Sequence, residues 1–174
     1  LEVLDETATT QPINDYAVSK LAMEYLAKTY MARLGIVITR PFNYTGVGQE
    51  PRYLIPKIVQ HFKARAPHIE LGNTDLARDF SDVRDIARAY RLLAEAQPHG
   101  EIFNLCAGEA TALETLISMA SEITEHNIEV RTNPDFVRAN EVKTLRGSSE
   151  KLDSVTRHER RYAIRDTLNW MLQR

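Results

Sequence analysis

Gly35-Ile36-Val37-Ile38-Thr39-Arg40-Pro41-Phe42-Asn43 is the stretch that decides the fold. Residues 36–40 are β-branched and barely alternate with polar ones, as in a strand covered on both faces. The strand runs into Pro41-Phe42-Asn43-Tyr44-Thr45-Gly46-Val47-Gly48-Gln49, whose turn formers read as a loop. Gly35 stands where the C-cap of a preceding helix is expected. That helix is read over residues 16–34, with Asn14-Asp15 as capping side chains and Leu21, Leu26, Tyr30 and Leu34 as apolar positions.

The same alternation continues downstream. A helix is expected over about 54–65, with Pro56 in its first turn and Pro67 beyond its end, and Ile69-Glu70-Leu71 is a short strand closed by Gly72-Asn73. Asp82 caps a helix read from Val83 to Ala96, which ends before His99-Gly100, and Ile102–Cys106 is a second buried strand. Thr111 is expected to cap an amphipathic helix at about 112–125. Ile128–Arg131 alternates like a half-exposed strand, residues 133–150 read as charged and irregular, and 162–173 as a last helix. Strands alternating with helices make this an α/β chain with parallel pairing. Only 36–40 and 102–106 read as fully buried, and two strands make a poor sheet. The remainder is expected in a segment outside the chain or in a partner.

Composition excludes several functions. With 22 basic and 24 acidic residues and a net charge of -2, the 174-residue chain has no polyelectrolyte surface for nucleic acid or membrane. A single cysteine, Cys106, allows no internal disulfide and fits a reducing, cytoplasmic setting. The His residues at 61, 68, 99, 126 and 158 contain no i,i+3 or i,i+4 pair, so no metal site is expected. No apolar run approaches the roughly 20 residues of a membrane span. The chain opens Leu-Glu-Val-Leu-Asp-Glu and reaches its first helix within sixteen residues, which reads as the middle of a domain.

That first helix begins Tyr16-Ala17-Val18-Ser19-Lys20. Residues four apart project from one face, one turn from each other. An ammonium beside a phenol stabilises the phenolate, so the phenol can pass a proton to a reacting oxygen near neutral pH. The spacing by itself is a weak signal and fits an ordinary surface pair better.

The order YAVSK, RPFNYTGVGQ, LGNTDLARDFSDVRDIARAY and FNLCAGEA resembles the extended short-chain dehydrogenases/reductases that act on nucleotide-diphosphate sugars. The nearest likeness is to GDP-4-keto-6-deoxy-D-mannose reductases and then GDP-mannose 4,6-dehydratases, and it runs from about Asp5 to Leu152. It implies the C-terminal part of an NAD(P)-binding Rossmann-like fold plus a small substrate-binding subdomain. Residues 1–43 and 82–106 would belong to the former, and 44–81 and 107–174 to the latter. The family's Ser/Thr catalytic partner and its glycine-rich dinucleotide turn are expected upstream of Leu1.

The resemblance also implies roles. Tyr16 would protonate the sugar C4 oxygen, while Lys20 would support the phenolate and bond the nicotinamide ribose of NAD or NADP. The backbone at Pro41 and Phe42 would lie against the nicotinamide. Asn43 and Arg78 would meet the diphosphate of a GDP-linked sugar, Gly72 and Asn73 would approach the base, and Arg138 and Glu141 would contact diphosphate and ribose. Taken without the family, Pro41-Phe42 fits a plain turn, and Arg78, Arg138 and Glu141 fit solvated surface charges. Asp82 and Asp85 read as helix-cap and helix-face residues. The sequence departs from relatives at Val47, often Pro, and at Thr156–Tyr162, where a Gly-Trp-x-Pro turn is common. A homodimer is implied, with Leu21, Tyr25 and Met31 on the candidate face. Three functions stay open at this stage: a 4-keto reductase, a dehydratase or epimerase on the same scaffold, and a non-catalytic nucleotide-sugar-binding remnant.

Overall fold

Asn14 accepts a hydrogen bond from the Ala17 amide at 2.8 Å, and so starts α1 (Asp15–Tyr30) in the computed structural model, which describes residues 3–137 and 142–174. The helix ends four residues sooner than its apolar spacing suggested, with Met31 as C-cap. Gly35 is therefore not its cap. A side chain there would run into the His99 ring, so the position is small because another part of the chain packs against it.

The expected α2 (Leu54–Lys63), α3 (Val83–Ala96) and α6 (Ile164–Gln173) are present, with α4 (Leu113–Thr124) and α5 (Glu150–Thr156) between α3 and α6. Thr111 does not cap α4. It lies in a strand, and Ala112 takes the N-cap position without a side-chain bond.

Strands β2 (Ile38–Pro41) and β6 (Ile102–Leu105) pair in parallel, Arg40 opposite Asn104. A second sheet was not foreseen, and it lies within the chain. It joins β1 (Val3–Leu4), β9 (Thr144–Gly147), β5 (Ala77–Asp82) and β3 (Asn43–Thr45) in that order, all parallel, and β7 (Ala110–Ala112) adds to β5 antiparallel. Thus the supposed loop after Pro41 contains a strand, and so does the segment read as irregular. A third pair, β4 (His68–Leu71) with β8 (Glu129–Thr132), is parallel, and β8 is exposed throughout.

Two cores follow from this layout. Ile55, Ile58 and Phe62 of α2 meet Leu116 of α4, Leu168 of α6 and Ile69 of β4, all essentially inaccessible. Ile86 and Leu93 of α3 meet Phe103 and Leu105 of β6 and Leu152 of α5. Each large apolar side chain buried this way contributes about 1.5–3 kcal/mol. Helix α1 buries no residue in either core.

Asp82 caps α3 as expected, accepting from the Arg84 amide at 2.7 Å, from the Arg84 guanidinium at 2.7 and 2.9 Å, and from Thr167 Oγ1 at 2.7 Å. Burial pushes this carboxyl up, but those donors outweigh it and hold it below its ordinary value of 3.8. A folded value below the unfolded one means that the stability Asp82 contributes is complete above 3.8 and is lost as pH falls through the folded value. In urea unfolding, Asp82→Asn is expected to trail the wild type at pH 7, and the gap should shrink below about pH 4. A gap constant with pH would sink this account. Asp85 is more than a helix-face residue. It is buried, and its Oδ2 accepts from the amides of Arg161 and Tyr162 at 3.0 and 3.1 Å. Arg84 lies against the rings of Tyr162 and Trp170, its guanidinium carbon 3.6 and 3.9 Å from their centroids.

Candidate active site

The alternation of β5 divides its side chains between two surroundings. Arg78 and Phe80 line a cleft of about 1230 Å³. Asp79 is fully buried and collects three backbone amides, from Ala107 at 2.6 Å, Gly108 at 2.9 Å and Gly147 at 3.2 Å. Burial pushes the Asp79 carboxyl up against the pull of those amides. Its own carbonyl accepts from Asn43 Nδ2 at 3.2 Å, which ties β5 to β3 at the cleft.

Around this cleft the parallel strands β2, β3 and β4 and the helix α1 deliver most of the residues singled out in the sequence. Tyr16, Pro41, Phe42, Asn43, Gly72, Asn73 and Arg78 all line it. Lys20 is not in the lining. Its Nζ lies 5.5 Å from the centroid of the Tyr16 ring, so the ammonium sits beside the phenol as the helical spacing required. Tyr16 is 72% exposed and lines the cleft. Gly72 has a steric reason. The backbone carbonyl of Phe136, in the 3-10 turn Pro134–Phe136, occupies the place a Cβ would need. Arg138 and Glu141 lie outside the described residues.

Arg78 Nη1 donates to the carbonyls of Ala77 at 2.9 Å and Lys143 at 3.2 Å, so the guanidinium is anchored to backbone at the cleft wall. A guanidinium held in place matches the geometry of phosphate oxygens. Sequence reasoning passed over Arg52, Lys57 and Phe136, which also line the cleft. Lys57 Nζ donates to the Glu70 carbonyl at 2.6 Å and lies 4.6 Å from the Phe136 ring centroid. Arg52 lies 5.1 Å from the Tyr53 ring centroid and pairs with Glu50 at 2.8 Å. Residues 52–57 bring two cations and an aromatic ring to a helix start, which was the available signal. Phe136 had none, because only the close approach of its turn to Gly72 brings it here.

The cleft thus combines a phenol with an ammonium beside it, an anchored guanidinium, a second cation near an aromatic ring, and strand ends of a parallel α/β fold, where ligands bind. Among the described residues no group of three His, Cys, Asp or Glu side chains is placed to hold a metal ion. No described helix is long and apolar enough to cross a membrane.

Comparison with known proteins points the same way. The profile of the GDP-mannose 4,6 dehydratase family matches residues 2–171. A GDP-6-deoxy-D-talose 4-dehydrogenase of Aggregatibacter actinomycetemcomitans is 35% identical over 92% of this chain and 55% of its own. A GDP-6-deoxy-D-mannose reductase of Pseudomonas aeruginosa is 30% identical over 97% of this chain and 58% of its own. The chain therefore spans little more than half the length of these relatives. Among solved structures, a Burkholderia cenocepacia chain superposes with a TM-score of 0.95 at 53% identity, covering 98% of this chain and 56% of that one. The Pseudomonas aeruginosa RMD structure with NADPH gives 0.91 at 29%, covering 99% and 59%. The mixed α/β architecture matches the Rossmann-like fold of these neighbours.

Proposed function

Because the chain belongs to the GDP-mannose 4,6-dehydratase family within the extended short-chain dehydrogenases/reductases, we propose that it carries the proton-donor and sugar-nucleotide side of an NAD(P)-dependent reductase. Its substrate is a GDP-linked 4-keto-6-deoxy sugar, and the reduced carbon is C4. The observation that carries this reading is the meeting of Tyr16, Asn43 and Arg78 in one cleft. Relatives named as a GDP-6-deoxy-D-talose 4-dehydrogenase and a GDP-6-deoxy-D-mannose reductase support it.

In this reading Arg78 and Asn43 hold the diphosphate, with Arg138 and Glu141 joining them. Gly72 and Asn73 border the base, and the Tyr16 hydroxyl donates its proton to the C4 oxygen. Lys20 supports the phenolate left behind, since an adjacent ammonium favours the charged form. Pro41 and Phe42, at and just after the end of β2, share the cleft with Tyr16 and fit a nicotinamide ring, and Lys20 fits its ribose. A reduced nicotinamide bound there supplies hydride to C4. Solved neighbours hold NADPH or NAD, and this reading takes either. Residues 1–43 and 82–106 serve the cofactor side and 44–81 and 107–174 the sugar-nucleotide side. A homodimer through α1 is part of the same proposal, with Tyr25, Val18, Met23 and Leu26 exposed on that helix and Leu21 and Met31 half-buried.

The test is to incubate full-length protein with GDP-4-keto-6-deoxymannose and reduced cofactor. Loss of the reduced-nicotinamide absorbance with formation of a GDP-6-deoxyhexose is expected. A 4-keto product formed from GDP-mannose alone would overturn the reductase reading in favour of a dehydratase, the activity for which the matching family is named.

A further inference from the structure

Helix α1 brings Tyr16 to the cleft. Its N-cap bond and the hydroxyl bonds of Ser19 and Thr29 are all local to the helix. Among the described residues, the side-chain hydrogen bonds from α1 to another element are those of Glu24 with Arg40. Arg40 Nε donates to Glu24 Oε1 at 2.8 Å and Nη2 to Oε2 at 2.7 Å, a two-pronged fork. The pair is largely shielded, with 22% and 16% of the two side chains accessible. Arg40 Nη1 also donates to the Glu6 carbonyl at 3.2 Å, and Glu6 Oε1 accepts from the Asn104 amide at 2.7 Å. Asn104 is the residue opposite Arg40 in the β2–β6 ladder. Arg40 is thus fixed from two sides before it grips α1, and the next residue on its strand is Pro41, at the cleft.

We propose that the Glu24–Arg40 pair is a positioning device that sets the Tyr16 hydroxyl against the end of β2, where the reacting carbon is held. This rests on Tyr16 being the proton donor. Two residues outside the cleft matter because a small angle at Glu24 becomes a large displacement at Tyr16. Tyr16 and Glu24 are eight residues apart, about 12 Å along the helix axis, so a tilt of about 5° at Glu24 displaces Tyr16 by about 1 Å. A misplacement of about 1 Å costs on the order of 10²-fold in rate. Binding of the nucleotide sugar depends on Arg78 and Asn43, which sit on β5 and β3 and are held there by bonds that do not involve α1. A lost tether therefore lowers kcat far more than it weakens binding. The Arg40 fork holds the Glu24 carboxyl below the ordinary carboxylate range, so the pair is intact across the neutral pH range of an assay.

The test uses the full-length protein in three steps. Glu24→Gln and Arg40→Met are each expected to lower kcat about 10- to 100-fold, with the Kd for the nucleotide sugar changing less than about 3-fold. The exchanged pair, Glu24→Arg with Arg40→Glu, is expected to recover at least about ten-fold over the worse single variant, since the fork can re-form in reverse. In a Tyr16→Phe background, Glu24→Gln is expected to lower the residual rate no further, because a residue that acts through Tyr16 has nothing left to position. Single variants within two-fold of wild-type kcat would overturn the inference, and so would equal losses in kcat and binding. A Glu24→Gln effect undiminished in the Tyr16→Phe background would overturn it as well. A Tyr16→Phe enzyme at full rate would instead refute the proton-donor reading itself, so the two failures are distinguishable.

Discussion

Tyr16→Phe is expected to lower turnover of the 4-keto sugar nucleotide by about 10²- to 10⁴-fold, the range of a positioned general acid. Binding of the sugar nucleotide should change little. The substitution removes one hydroxyl from a residue that is 72% exposed, and exposed changes of that size cost at most about 0.5 kcal/mol of stability. The aromatic ring remains, and so does its contact with the Lys20 ammonium. Folding, the cleft and the contacts of Arg78 and Asn43 are therefore preserved while the transferable proton is gone. Steady-state kinetics alongside calorimetric binding of GDP or the sugar nucleotide separates the two effects. Lys20→Met should lower kcat as well, but by less, because the phenol itself is still present. A Tyr16→Phe enzyme within about five-fold of wild type would remove Tyr16 from the chemistry, whatever the fold around it.

The legibility of this molecule tracks where its signals reside. Helices α2, α3 and α6 show a 3.6-residue apolar period, and Asp82 is a recognisable cap, so these elements could be read locally. Strand β5 could not. Ala77-Arg78-Asp79-Phe80-Ser81-Asp82 looks like an exposed loop, because half its residues are charged. Its burial is made possible largely by partners far away in sequence: amides at 107, 108 and 147 for Asp79, and Thr167, beside the neighbouring Arg84, for Asp82. Strand β9 is hidden for a similar reason, since Thr-Leu-Arg-Gly acquires meaning only beside β5 and β1. Thr111 misled because a hydroxyl suited to capping also suits a strand, and β5 offered a ladder to join. For the cleft, residues at strand ends and on one helical face were readable. Phe136 was not, because its place there is set by packing against Gly72.

Asp79→Asn is expected to destabilise the chain strongly for so conservative a change. Asp79 has no cation within ion-pair distance among the described residues; it is held by three amide donors from two segments, the turn after β6 and the end of β9. An ionised carboxylate is an acceptor at both oxygens and can satisfy all three. An asparagine side chain offers one acceptor oxygen and an NH₂ group, so at least one buried N–H would face another donor. An unsatisfied buried donor costs about 1–3 kcal/mol, and the donor–donor contact adds to it, which gives about 2–4 kcal/mol in all. For a domain of this size that corresponds to a fall in Tm of roughly 5–15 °C. The change should also reach the cleft, because the Asp79 carbonyl accepts from Asn43 and its chain neighbours Arg78 and Phe80 line the wall. Weaker binding of the sugar nucleotide should therefore accompany the lower Tm. Thermal melting with and without GDP checks both parts. A shift under about 2 °C would mean that the three amides find other acceptors and that β5 needs no brace. A full shift with unchanged GDP affinity would confine the brace to the core side of β5.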